Sequence, residues 1–425
     1  MTAQVKPLVV LTLLASALAL AGPQARASAE DQVVRTVQTQ TVTVKHPQLP
    51  QGIVSKTAIA FDAQTGRTLW GRGINERRLI ASTTKIMTAL VAIEKSRPNQ
   101  LLTATNYHGD AAESLMGLKP GERLTAQDLI RGLLVVSGND AADTLAARTM
   151  SSRGAFVAEM NRRARVMKLS HTHFSNPVGL DSASNYSTAR DLARLTRQAL
   201  KVQRFRSVVS RRHVTTRSGA KKRKLENSNP LLFKYKWATG VKTGHTLAAG
   251  YLLVGSGKKA DATVISVVTG APSEAARAKD SGRILNYARS FYSTRAPLRK
   301  NSTLTTLPVS YQDNGAAVRP TRTVAVAARD GQRVTVRVRS AKELKGPLAA
   351  GTRVGTAQVF VSGRQVATSA VVLRSGIAAP PVQAVMLQAL GRVLPWLLLL
   401  LVVGLVVAFL RRPDRKRTGR ARYVG

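Results

Sequence analysis

Residues 393–410 carry no charged side chain, and only Pro395 and Gly404 break the apolar run. Eighteen residues rising about 1.5 Å each are just enough to cross a bilayer core of about 30 Å. Trp396 stands near one end, where an amphipathic ring marks the membrane interface. The run is apolar on all sides, which favours a spanning helix over an amphipathic helix lying in the interface. Residues 411–425 hold seven Lys or Arg and a single Asp. The positive-inside rule places that basic tail in the cytoplasm and everything before the helix outside. The other end agrees: Lys6, an apolar stretch over 8–21 and Ala25-Arg26-Ala27 read as a secretory signal peptide over 1–27, in preference to a buried N-terminal helix. What lies between is expected to fold as the extracytoplasmic part of a single-pass protein of the cell membrane.

That location changes the meaning of the charge. Lys and Arg number 65 against 22 Asp and Glu, a net +43, and the short tail holds little of it. Most of the positive charge is therefore on the exported side, where chromosomal DNA is not the available polyanion. Aromatic residues make up only 4% of the chain, too few for stacking platforms. No nucleic-acid partner is expected, and an anionic lipid or wall polymer takes its place. Cysteine is absent, which removes disulfides, thiolate catalysis, zinc fingers and iron–sulfur clusters together. No metal or other cofactor is expected.

Between the ends the character of the chain changes twice. Residues 28–52, rich in Thr, Gln and Val, read as a spacer or edge strand. Residues 53–296 mix strand and helix signals. Thr57-Ala58-Ile59-Ala60-Phe61 alternates like a strand and runs into the turn Asp62-Ala63-Gln64-Thr65-Gly66. Thr125-Ala126-Gln127-Asp128 and Thr188-Ala189-Arg190-Asp191 are capping-box patterns at helix starts. Residues 250–254 and 263–268 look like neighbouring strands ahead of a helix over 274–292. Over 297–375 the valines alternate at period two, with Asp330-Gly331 and Ser362-Gly363 as hairpin turns, so a small all-β domain is expected. A linker over 376–392 leads to the transmembrane helix.

Three short motifs carry the chemistry. Ser82-Thr83-Thr84-Lys85 is a Ser-x-x-Lys pattern entering a helix, which puts both side chains on one face, one turn apart. A neutral lysine there can take the proton of a hydroxyl too weak to attack unaided. Alone the pattern is weak, because Ser218/Lys221 and Ser256/Lys259 also match it. Ser137-Gly138-Asn139 is the only Ser-x-Asn, at the end of a predicted helix over 129–136, and Lys242-Thr243-Gly244 is the only Lys-Thr-Gly. The three in this order are those of the active-site serine penicillin-recognising enzymes.

With their surroundings, and with residues 174–181 (Phe-Ser-Asn-Pro-Val-Gly-Leu-Asp), 186–191 and 240–246, these motifs resemble the low-molecular-mass penicillin-binding proteins that are D-alanyl-D-alanine carboxypeptidases. The resemblance is strong over 53–292. It implies a mixed α/β (α+β) penicillin-binding, β-lactamase-like transpeptidase fold, then the all-β domain and the C-terminal transmembrane helix. It also implies that Ser82 would attack the carbonyl between the last two D-alanines of a peptidoglycan stem peptide, with β-lactams as inhibitors. Lys85 would be the general base, kept neutral with help from the second cation Lys242. Ser137 would relay the proton to the leaving D-alanine and Asn139 would bond the substrate amide. Lys242 and Thr243 would hold the terminal carboxylate, and Gly244 would leave room for the substrate beside its strand. The oxyanion hole would be the backbone N–H groups of Ser82 and His245.

A class A β-lactamase is disfavoured. Glu159 and Glu226 are the only Glu between Asn139 and Lys242, and neither has Asn four residues on. DD-endopeptidase action would use the same residues. A non-catalytic wall-binding scaffold is opposed by the intact Ser82 and Lys85. Two features depart from the family pattern: the apolar C-terminal segment spans rather than lies in the interface, and residues 204–224 hold nine Lys or Arg and no acid. That stretch reads as either a solvated hairpin tip or a contact for anionic lipid or wall polymer.

Overall fold

The computed structural model describes residues 32–44 and 48–410, so the expected signal peptide and basic tail lie outside the described residues. The catalytic region is built on a five-stranded sheet, ordered Ala238–Thr246, Gly250–Lys259, Ala262–Ala271, Thr57–Asp62, Thr68–Arg72, with every pairing antiparallel. All six residues of Thr57–Asp62 are buried, because helices cover both faces. Its period-two alternation then sorts side chains between two cores. Ile59 and Phe61 join the large helical cluster, while Ala58 and Ala60 lie with Ile284, Leu285 and Ala288 of the helix Glu274–Ser290. Each large side chain so buried contributes about 1.5–3 kcal/mol.

At the centre of the large cluster runs α1 (Lys85–Lys95), buried from Lys85 through Ile93. A helix buried on all sides belongs inside a layer of others. Its neighbours include α2 (Ala126–Val135) and α3 (Asn139–Thr149). The predicted caps form: Thr125 and Thr188 accept from the N–H groups of Asp128 and Asp191. The reciprocal half of the box does not form, because each acid is drawn into a tertiary contact. Asp128 accepts from the N–H groups of Arg217 and Ser218 and from Ser218 Oγ, and Ser218 Oγ in turn takes the N–H of Thr125 at 2.9 Å.

One expectation read from the sequence is borne out here and two are corrected. Of the two readings of 28–52, spacer or edge strand, Gln32–Thr41 takes the second: it is a strand at the edge of a six-stranded sheet, antiparallel to Arg333–Ala341. An edge strand needs a partner on one side only, so Thr and Gln suffice where a central strand would need a continuous apolar face. Ser362-Gly363 makes the expected hairpin, but Asp330-Gly331 joins strands of different sheets: Val324–Arg329 pairs with Tyr292–Leu298 instead. The C-terminal helix is Val382–Leu410, so residues 382–392 are helical rather than linker. Arg392 ends the uncharged run, but helix formation does not depend on charge, and Pro380-Pro381 just before Val382 sets the start. From Val382 to Val407 this helix is long and apolar enough to cross a membrane.

The two parts meet at acids on one end of the catalytic sheet. Buried Asp62 accepts from Arg329 Nη1 at 3.1 Å, and Asp261 accepts from the N–H of Ala327.

Candidate active site

Ser82 lies in a single 3₁₀ turn, Ala81–Thr84, that feeds directly into α1 at Lys85. The turn is tightly enclosed. A Cβ on Gly179, whose φ is +93°, would stand 2.1 Å from the carbonyl oxygen of Ala81, so residues 174–181 can pass this close only with glycine there. The same segment supplies an acceptor to the lysine.

Lys85 is fully buried, and its ammonium reaches Ser82 Oγ at 2.8 Å, Asn139 Oδ1 at 2.5 Å and the carbonyl of Val178. Burial pulls its pKa from 10.5 down to about 7, against the opposing pull of Glu113 and Asp140. Lys242, the second cation expected beside it, repels it across the site. Lys242 is itself buried and held well below the usual lysine range, first by burial, then by the charges of Lys85 and Arg277. Desolvation is the largest of the influences that let Lys85 lose its proton near neutrality.

Ser137 and Gly138 form the turn between α2 and α3, with Ser137 buried at φ +66°, and Asn139 opens α3. Ser228 ties this turn to the third motif. Its N–H donates to Val135 O at 3.0 Å and its Oγ lies 2.9 Å from Thr243 Oγ1. Lys242, Thr243 and Gly244 are buried on the edge strand Ala238–Thr246. Gly244 has a reason to be glycine within the fold itself. An added Cβ would lie 3.3 Å from Ser82 N, Ala81 Cβ and Thr83 Cγ2, so its bareness lets the strand close on the Ser82 turn. His245 is exposed, its imidazole stacked on Tyr251 at 4.0 Å.

The structure thus brings all three motifs to one place. The family described as D-alanyl-D-alanine carboxypeptidase matches residues 40–273, and the one described as penicillin-binding protein 5, C-terminal domain, matches 292–381. The chain belongs to the D-alanyl-D-alanine carboxypeptidase family. It is 29% identical over 327 residues to the D-alanyl-D-alanine carboxypeptidase DacF of Bacillus subtilis (75% of this chain, 84% of that one). To DacA of Escherichia coli K12 it is 30% identical over 336 residues (75% and 82%). The crystal structure of penicillin-binding protein 5 from Haemophilus influenzae superposes with a TM-score of 0.54 at 27% identity, covering 78% of this chain and 99% of that one. The fold is the penicillin-binding protein fold with an all-β C-terminal domain.

Three groups in this carboxypeptidase escaped the motif reading. Glu113 accepts from Tyr107 Oη at 2.6 Å and from Asn139 Nδ2. The Tyr107 and Asn139 hydrogen bonds hold its carboxyl below the usual range in spite of burial, which alone would raise it. Asp140 accepts from the N–H groups of Met116 and Leu118 at 2.8 and 2.9 Å, fixing the loop over the site. Arg277, buried on the helix Glu274–Ser290, donates to Gly244 O at 3.0 Å. None sits in a recurring pattern. Only Asp140, adjoining Asn139 in the second motif, had a local signal.

Proposed function

We propose that this serine D-Ala-D-Ala carboxypeptidase removes the terminal D-alanine of peptidoglycan stem pentapeptides through an acyl-enzyme on Ser82. The observation that carries this is the buried Lys85 ammonium 2.8 Å from Ser82 Oγ with a pKa near 7. Neutral Lys85 takes the hydroxyl proton as Ser82 Oγ attacks the peptide carbonyl, and the N–H groups of Ser82 and His245 receive the developing oxyanion. Ser137 passes the proton to the leaving amine of D-alanine, and water then hydrolyses the ester. Asn139 accepts from Lys85 at Oδ1 and donates from Nδ2 to Glu113, which orients its side chain to bond the substrate amide. Lys242 and Thr243 hold the terminal carboxylate, with Arg277 adding positive charge beside them.

Enzymes of this family act on peptidoglycan peptides and bind β-lactams, which acylate the same serine. The helix Val382–Leu410 serves as a single-pass anchor, with the catalytic and β domains extracytoplasmic and residues 411–425 inside. Incubation with labelled penicillin and peptide mapping tests the mechanism. The label is expected on Ser82 and absent from Ser82→Ala, and D-alanine should be released from a soluble pentapeptide. A folded protein that takes no label refutes the proposal.

A further inference from the structure

Seven of the nine basic residues of 204–224 fall into two groups. Arg204 donates to the carbonyls of Ile93 and Ser96, Arg206 to Leu200, and Arg212 to Leu232. Arg223 is buried against Glu122 at 2.7 Å, and its guanidinium holds that carboxyl down at about 2. These four arginines are structural. Arg211, Arg217 and Lys222 are exposed, make no ion pair among the described residues, and line one cleft of about 670 Å³ with Arg131 and His213. The nearby acids are already engaged. Asp128 is taken by Arg131 and the Ser218 turn, and Glu226 faces His213 at 3.6 Å. Three uncompensated cations therefore face the opening, beside the hydroxyl residues Ser207 and Thr215.

We propose that this cleft binds a phosphodiester polymer of the cell wall and holds the carboxypeptidase against it. The proposal rests on the extracytoplasmic reading of the domain. Guanidinium forks and an ammonium spaced around an open cleft suit successive phosphates along a chain, each met by a charge-assisted hydrogen bond. Position favours a polymer over a lipid headgroup. The cleft is lined by Ser207 and Val208 of the helix Gln203–Val209, whose Val209 packs on Gly240 of the edge strand Ala238–Thr246, whereas the β domain that carries the apolar helix is fastened at Asp62, on Thr57–Asp62, and at Asp261, in the turn before Ala262–Ala271. It also adjoins the site: α2 carries Gln127 and Arg131 at the cleft and ends beside Ser137, and the strand Lys224–Glu226 leads to Ser228 and Thr243.

The test uses the full chain in detergent and labelled poly(glycerol phosphate). The triple variant Arg211→Gln, Arg217→Gln, Lys222→Gln is expected to bind at least about tenfold more weakly. Its slope of log affinity against log salt should fall by about two, since each contact to a flexible polyanion contributes about 0.7. A control removing three exposed charges from the β domain (Arg333→Gln, Arg353→Gln, Arg364→Gln) should change affinity less than about twofold. Equal losses in the two triples, or no loss in the first, overturn the proposal in favour of diffuse charge. Cleft-dependent binding that is tighter to phosphatidylglycerol vesicles overturns it in favour of lipid, and equal binding of polygalacturonate denies selection of phosphate. Penicillin labelling of Ser82 in the same triple variant should be unchanged, so failure of the catalytic reading shows separately.

Discussion

The catalytic and β domains bury opposite kinds of residue. Among the described residues the buried polar side chains of 293–381 are two serines, Ser340 and Ser369, in a core of Val, Leu, Ile and Ala. The catalytic domain buries Lys85, Lys242, Arg277, Arg223 and several carboxylates. A desolvated charge costs free energy unless it is well partnered, as Arg223 is by Glu122, so Lys85 and Lys242, which form no ion pair among the described residues, are not there for stability. Function is concentrated where the core is electrostatically costly, and the apolar β domain is a support.

Four measurements bear on this contrast, from the largest expected effect down. Lys85→Met should slow penicillin acylation by about 10²–10⁴-fold, the usual contribution of a general base, without loss of melting temperature. A large fall in stability instead would make Lys85 structural and blur the contrast. Leu373→Ala, fully buried in the β domain, should cost about 2–5 kcal/mol in denaturant unfolding and leave the acylation rate constant of the folded enzyme unchanged. If acylation slows as well, the β domain is more than a support.

The third measurement is the acid limb of kcat/KM. Lys85 works when neutral and its pKa is about 7, so activity should fall about tenfold per pH unit below that midpoint and level off above it. The smallest effect is expected from Glu113→Gln. The Glu113 carboxylate favours the charged form of Lys85, so its loss should move the midpoint to lower pH. Unchanged profiles would reduce Glu113 to a brace for Asn139 and Tyr107.

Much of this was legible locally. The three motifs, both N-caps, the Ser362-Gly363 hairpin and the alternation of Thr57–Asp62 depend on residues a few positions apart, and each stands where the pattern put it. The edge strand Gln32–Thr41 was ambiguous because its partner is some 300 residues away, as the Arg35 to Ser340 hydrogen bond spans 305 positions. Asp330-Gly331 has the composition of a hairpin turn, but which strands pair across it is a matter of the sheet, not of the turn.

The sequence by itself determined the chemistry available to this protein: which hydroxyl, which lysines, in what order, and with an apolar segment long enough to anchor them. Tertiary structure decided the conditions under which that chemistry runs. Lys85 can lose its proton near neutrality because Val178, Asn139 and the surrounding helices close over it, and Gly244 and Gly179 matter because two distant segments must pass within reach of Ser82. Desolvation and close approach depend on what the chain folds over a residue, which no local pattern records.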